Sequence, residues 1–395
     1  MTSRSSPSPP FVASDDMGDR IRRAWREGAL LPPPREGGRE HRRSGPPEQP
    51  RLTSADGEAQ VQLLGTGETF AAWHLSAPDG AELMVRIPWH APAHPLSDEI
   101  AALAQVPAGV GPRPVALHES AEASPLGVPY LVTTPIAGRI LMPGAWDRPH
   151  LLAHADRLAQ LHRVTTPGRG PVALGADPWE RMSAARLSLP ELFAADTQHV
   201  DAAVLDLAGG PALLHAAERA LRASDPAFAD LEGFVLSHGD LCATNIVWQG
   251  TPTASLPGYI DFEWAMGDDP ARDLAIIGGS VHGGPWYVPL GGEDLDAFVD
   301  RYLGARTQPE DAPAPPRVEG RAQLSPAPVL DPAGLRSRRD AWEVYEKTAM
   351  LLHVAGRVRD ETVEECADDA GTTTPYRRAL PVLQSTLAAR LGGEA

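Results

Sequence analysis

At 395 residues, with 42% hydrophobic side chains and a mean hydropathy of −0.24, the chain has the size of two ordinary domains with cores of their own. A formal net charge of −17, from 35 basic and 52 acidic residues, is the wrong sign for a general nucleic-acid binder, and no run approaches the apolar length that spans a bilayer. Two cysteines, Cys242 and Cys366, build neither a disulfide framework nor a cysteine zinc site, which fits a reducing cytoplasm, and no apolar stretch behind the N-terminal arginines reads as a signal peptide.

Residues 1–57 are rich in Ser, Pro, Gly and Arg, with PSPP, LPPPREGG and SGPPEQP, and a flexible segment is expected there. Ile21 and Trp25 would share one face of a short helix over 17–31, but the surrounding composition favours a tail. From about Val61 the pattern turns β-rich. VQLLGTGETFAAWHL reads as strand, glycine turn, strand; PDG marks a turn; AELMVRIP is a third strand. A helix is expected over 97–105, with Ser97 as its N-cap and Glu99 in its first turn. VPYLVTTPIAG is then a strand entering a Pro/Gly loop, and 58–137 forms a small β-rich lobe.

The remainder, 138–395, reads as a mainly helical lobe. Leu151, Ala155, Leu158 and His162 fall on one helical face, and Trp342, Tyr345, Ala349 and Leu352 on another. A Pro-rich stretch over 308–332 interrupts the helical pattern as a loop. The fold class expected from this order is α+β, a small β-rich lobe followed by a larger helical one.

The chemistry is concentrated in VLSHGDLCATNIVW, a spacer, and GYIDFEWAMGDDPARDLA. The flanking apolar runs are strands, so HGDLCATN is a loop that presents Asp240 and Asn245, and Asp261 closes the following strand. A carboxylate that takes a hydroxyl proton and two oxygen ligands for Mg²⁺ are what phosphoryl transfer from a nucleotide requires. Glu263 could assist at the metal or serve as a surface carboxylate. DPARDLA enters a helix whose Asp273 can accept backbone N–H bonds and brace the loop that begins with His238.

These motifs resemble the aminoglycoside phosphotransferase family, the antibiotic-kinase branch of the protein-kinase-like fold, over about 58–360. HGDxxxxN, the IDF element and DPxxDLA all match; the family often has Gly where this chain has Asp268. The resemblance implies Asp240 as catalytic base and Asn245 and Asp261 as Mg²⁺ ligands, with ATP or GTP as donor and a hydroxyl-bearing small molecule as acceptor. It also implies nucleotide contacts in the small lobe. GTGETF would place Gly65 and Gly67 over the phosphates, although a hairpin turn explains those glycines equally well. Arg86 stands where a phosphate-gripping base belongs, since the only lysine, Lys347, lies downstream of the catalytic loop. Glu99 is its expected partner, with a solvent-facing carboxylate as the alternative. The hinge falls at 133–136, where the Thr134 carbonyl and Ile136 N–H would meet the base. His162 is expected as a core histidine and Cys242 as a small apolar filler. The expected function is a kinase for an antibiotic or antibiotic-like metabolite. The alternatives are a kinase for a sugar, amino alcohol or homoserine-like acceptor, or a non-catalytic nucleotide-binding module. The acidic balance suits a polycationic acceptor, whereas Trp179, Trp286 and Trp342 suit an apolar one.

Overall fold

A computed structural model describes residues 11–31, 58–229, 231, 233–250, 256–307, 331–365 and 374–392. The chain divides into two compact units, Met1–Ala104 with Pro112–Ile136 and Gln105–Gly111 with Ala137–Ala395. Among the described residues, no helix is long and apolar enough to cross a membrane.

The first unit is built on an antiparallel sheet of β1 (Gln60–Thr66), β2 (Phe70–Ser76), β3 (Glu82–Pro88), β4 (Pro114–His118) and β5 (Tyr130–Thr133), in the order β1-β2-β3-β5-β4. Alternation along β3 divides its side chains between two faces. Leu83, Val85 and Ile87 join Trp73, Leu75, Tyr130 and Val132 in one apolar cluster. The neighbouring residues of β2 and β5 supply Phe70 and Leu131 to the other face, which packs against Leu96 and Ile100 of α2 (Leu96–Leu103). Helix α2 starts one residue before its expected position, behind Pro95, and Ser97 lies inside it rather than capping it.

The first cluster is closed by a helix that the sequence hides in its tail. Residues 11–31, expected as part of a flexible segment, contain helix α1 (Asp15–Arg26). The reason is burial: Met17, Ile21, Ala24, Trp25 and Leu30 pack into the cluster of Trp73, Leu75, Leu83 and Val85. Each large apolar side chain so buried contributes roughly 1.5–3 kcal/mol, and the indole N–H of Trp73 donates to the Val12 carbonyl at 2.8 Å. Asp15 and Asp16 in the first turn and Arg23 and Arg26 in the last complement the helix dipole. The rest of the expected segment, 1–10 and 32–57, lies outside the described residues.

The second unit begins with β6 (Arg139–Ile140), α3 (Arg148–Leu161), β7 (Thr165–Thr166) and β8 (Gly170–Pro171). Three helices follow, α4 (Leu189–Thr197), α5 (Ala202–Leu207) and α6 (Pro211–Ser224). Next come β9 (Phe234–Ser237), β10 (Ile246–Trp248), β11 (Gly258–Tyr259) and β12 (Met266–Asp268). The unit ends with α7 (Pro270–Ile277), α8 (Gly292–Thr307), α9 (Pro332–Glu365) and α10 (Pro375–Arg390). The strands form two small sheets, β7-β9-β12-β8 and β11-β10-β6. On α3, Leu151, Ala155 and Leu158 are buried, and so is His162 just beyond it. Helix α9 packs against α4, α5, α6, α7 and α10, so it is buried nearly all round. Trp342 and Tyr345 lie inside as expected, but Ala349 faces solvent, because burial on several sides erases a single apolar stripe. The Pro-rich stretch expected over 308–332 falls, but for its last two residues, outside the described residues.

Candidate active site

In the first unit, β1 is bulged between Leu63 and Gly65, and the turn to β2 is closed by the Gly67 N–H donating to the Phe70 carbonyl at 2.8 Å. The Trp89 indole N–H donates to the Gly67 carbonyl at 3.1 Å. A Cβ at Gly65 would meet no described atom within 4 Å, so the hairpin alone does not demand glycine there. On β3, Arg86 pairs with Glu99 of α2, and its guanidinium lies 4.2 Å from the centroid of the Phe70 ring. Both members of the pair are largely buried. Glu99 is therefore the partner of Arg86 and not a solvent-facing carboxylate. Beyond β5, the Thr134 N–H donates to the Arg113 carbonyl at 2.9 Å, while the Thr134 hydroxyl accepts from the Arg113 N–H at 2.9 Å. This clamp fixes the chain that leads to Ile136.

In the second unit, β9 delivers the loop His238–Cys242, a single 3₁₀ turn at Ala243–Asn245, and β10. The Asn245 amide donates through Nδ2 to both the backbone carbonyl of Asp240 (2.8 Å) and its carboxylate Oδ2 (2.9 Å). With Nδ2 so engaged, the amide oxygen is left as its lone-pair donor. Strand β11 ends at Tyr259, so Asp261 lies two residues beyond it rather than closing it, and the segment that leads to Asp261 is tied to the same loop twice. The Ile260 N–H donates to the Asn245 carbonyl at 3.0 Å, and the His238 Nε2–H donates to the Ile260 carbonyl at 2.9 Å. Asp261 then takes φ +67°, the one non-glycine residue of positive φ among those described. Such a backbone is strained for any residue but glycine, and Asp and Asn tolerate it best. Gly239 is needed at φ +80°, where a Cβ would come within 2.5 Å of the Trp264 carbonyl oxygen.

Burial pushes the Asp240 carboxyl up to about 6, and the neighbouring charges of Asp261 and Glu346 push the same way. Asp273 behaves oppositely. Burial alone would raise it, but it accepts from the His162 Nε2–H (2.9 Å), the His238 N–H (2.8 Å) and the Gly239 N–H (2.9 Å), and these bonds hold it well below the usual carboxylate range. His162 in turn accepts the Tyr302 hydroxyl at Nδ1 (2.9 Å), and burial pushes it down. It is a core histidine, as expected, and it fixes the brace. Cys242 is buried among Val204, Ile276, Tyr287 and Leu351, as expected of an apolar filler, and burial raises its thiol.

Asp268, the departure from the usual glycine, is fully buried and paired with Arg169 (3.2 Å) and Arg272 (3.0 Å). Arg272 continues to Glu346 at 2.6 Å. Asp269 caps α7 through the Ala271 N–H (3.1 Å) and accepts from Arg338 (3.0 Å) and the Trp342 indole (3.1 Å). The sequence does not single out Arg169, Arg338 or Glu346, whose partners lie far away along the chain, nor Arg272, which is four residues from Asp268 but reaches Glu346 across 74 residues. Residue spacing within α9 was the only signal that could have found Arg338 and Glu346.

The structure thus joins the loop residues His238, Asp240 and Asn245 to Asp273 of α7 by hydrogen bonds, with Asp261 on the segment just beyond β11 that is bonded to the same loop. Gly65, Gly67, Arg86, Glu99, Thr134 and Ile136 belong to the first unit. Among the described residues, no group of three or more His, Cys, Asp or Glu side chains could hold a metal ion. One carboxylate with one amide oxygen is instead an incomplete hard-oxygen set, which suits Mg²⁺, an ion that keeps several waters and takes further ligands from phosphate.

The profile described as "Phosphotransferase enzyme family" matches residues 60–319. A comparison with curated protein sequences finds no match. Among solved structures, the chain is similar to a thermostable mutant of aminoglycoside phosphotransferase APH(4)-Ia in ternary complex with ADP and hygromycin B, at 12% identity and a TM-score of 0.51, over 86% of this chain and 95% of that one. It is also similar to the GDP complex of aminoglycoside 2'-phosphotransferase-IIIa, at 15% identity and a TM-score of 0.50, over 85% and 94%. At these identities the likeness establishes a shared two-lobed, kinase-like fold.

Proposed function

The chain belongs to the phosphotransferase enzyme family, and on that premise we propose that it is a small-molecule kinase. It would transfer the γ-phosphoryl of ATP or GTP to a hydroxyl of an antibiotic or antibiotic-like metabolite in the cytoplasm. The observation that carries this reading is the hydrogen bond from Asn245 to the Asp240 carboxylate, made in a loop that Asp273 holds from behind. Asp240 is positioned and tuned for a proton: its carboxyl, raised to about 6, is ionised at neutral pH yet more basic than an ordinary aspartate. It would take the acceptor's hydroxyl proton as the oxygen attacks phosphorus. The Asn245 amide holds the carboxylate in one orientation through Nδ2, which leaves its oxygen as the atom that would serve a cation. Asp261, locked at an unusual backbone angle, supplies the second oxygen. Asn245 and Asp261 would hold Mg²⁺, which would supply positive charge against the charge that develops on the phosphate. In the first unit, the open backbone at Gly65 and the Arg86–Glu99 pair would receive the phosphates, and the Thr134 carbonyl and Ile136 N–H the base.

The fixed orientation of the Asp240 carboxylate on the Asn245 amide, in a loop braced by Asp273, favours a catalyst over a non-catalytic nucleotide-binding module. The nucleotides named in the two similar complexes support the donor class. The acceptor class is tested by a nucleotide-turnover screen with ATP and GTP over aminoglycosides, macrolides, basic cyclic peptides, nucleoside antibiotics and simple amino alcohols. Turnover with one antibiotic class, lost in Asp240→Ala, is the expected result. Wild-type turnover by Asp240→Ala would remove Asp240 from the mechanism, and turnover confined to the amino alcohols would shift the reading to a metabolite kinase.

A further inference from the structure

One face of α9 carries Arg339, Glu343 and Lys347 at successive turns, all buried. Each grips the end of α7 or the glycine-rich connection that follows it, residues 278–291. Arg339 donates through Nη2 to the Gly278 carbonyl at 2.5 Å. Glu343 Oε1 accepts from the Val281 N–H at 3.2 Å, and its other oxygen pairs with Arg339 at 3.0 Å. Lys347 donates to the Ile276 carbonyl, and its Nζ lies 3.1 Å from the centroid of the Tyr287 ring. The approach is close: at Gly279, φ +117°, a Cβ would fall 1.8 Å from Glu343 Oε1. The same connection then reaches the catalytic loop, where the Ala243 N–H donates to the Trp286 carbonyl at 2.7 Å. Ala243 opens the turn that ends in Asn245. Asp273 holds the near end of the loop at His238 and Gly239, and the connection holds the far end.

A connection this rich in glycine has little order of its own. Buried charges are a poor way to obtain stability, since apolar replacements of similar volume often serve better. Their use here points to placement. We propose that Arg339, Glu343 and Lys347 are positioning residues that act through the 278–291 connection, fixing the Trp286 carbonyl and with it the turn that sets Asn245 on Asp240. The consequence for turnover rests on the kinase reading of Asp240 and Asn245; the placement of the turn does not.

Amide exchange on the full chain, without nucleotide or acceptor, tests the placement. The Ala243 amide is expected to be protected in the wild type. In Lys347→Met its exchange rises about tenfold, the scale of one lost net hydrogen bond, while the His238 and Gly239 amides keep their protection. Tyr287→Leu, which removes the ring beneath Lys347, gives the same pattern and decides the matter if Lys347→Met does not fold. An unprotected wild-type Ala243 amide, unchanged exchange in the variants, or equal acceleration at all three amides overturns the proposal. Phosphate release from MgATP and MgGTP with water as acceptor supplies the second readout. A lower kcat at unchanged nucleotide KM is expected in both variants, and a change in KM alone counts against positioning. A wild-type chain inert in that assay and in the acceptor screen would defeat the kinase reading and leave the exchange result to stand on its own.

Discussion

Asp240→Asn should stabilise the protein while destroying its activity, and the gain should depend on pH. The ordinary carboxyl value is 3.8 and burial, with Asp261 and Glu346 alongside, raises Asp240 to about 6. The folded state therefore binds the proton more tightly than the unfolded one. The stability this provides is fully present below about pH 4, declines between 4 and 6, and is lost above 6, where the folded chain must carry the charge. A shift of roughly two units corresponds to about 3 kcal/mol as an upper bound. Asp240 is only part-buried, so solvent reduces this to about 1–2 kcal/mol. Asparagine cannot ionise and keeps an oxygen for the Asn245 amide, so it mimics the protonated form at every pH. Denaturant unfolding of both chains at pH 4.5 and pH 8, free of Mg²⁺ and nucleotide, should show the variant more stable at pH 8 and, at pH 4.5, a gap reduced to roughly a third of its pH 8 size. Equal stability at pH 8, or a gap of the same size at both values, would refute the electrostatic account. With the wild type and its acceptor, kcat/KM should rise with pH as Asp240 ionises, since the base works only when ionised.

Asp273→Asn replaces an oxygen that accepts backbone N–H bonds with an amino group that opposes one, and should cost about 3–5 kcal/mol of stability as a broken buried charge network; a loss under 1 kcal/mol by denaturant unfolding would contradict the brace. Trp25→Ala should cost about 3–5 kcal/mol and expose the apolar face of the first-unit sheet, read as increased binding of a hydrophobic dye; unchanged unfolding would show that α1 contributes nothing to that unit.

How much was readable in the sequence follows the range of the interactions. The loop from His238 to Asn245 and the brace at Asp273 lie in short motifs whose spacing is itself the geometry: one strand, one turn, one helix N-terminus. Arg86 and Glu99 were legible for a related reason, as the second half of a strand and the first turn of the next helix. Helix α1 was not, because its twelve residues are averaged into a Pro- and Gly-rich tail, and its apolar stripe makes sense only against a sheet strung on the chain beyond residue 57. The charged partners Arg169, Arg272 and Glu346 were invisible for the same cause. Arg169 and Glu346 pair across tens of residues, and although Arg272 lies only four residues from Asp268, nothing local distinguishes the three from solvated surface charges. Asp268 departs from the motif's usual glycine because Arg169 and Arg272 both pair with it.

The single lysine shows how such long-range demands override composition. The chain uses arginine almost everywhere, including Arg86, where a planar fork that stays charged can pair with Glu99 and stack on Phe70. At position 347 the ammonium donates to the Ile276 carbonyl and lies on the Tyr287 ring face, with the charges of Glu343, Arg339 and Glu346 nearby. A guanidinium brings five N–H donors in a rigid plane that need acceptors at fixed angles, and each one left unsatisfied in a buried place costs about 1–3 kcal/mol. An ammonium is compact and rotates its three donors to suit. Burial pushes its proton affinity down, yet charged or neutral it retains N–H groups to give. The exception to the compositional bias thus falls where arginine chemistry does not fit, on the helix face that grips the connection bonded to the catalytic loop.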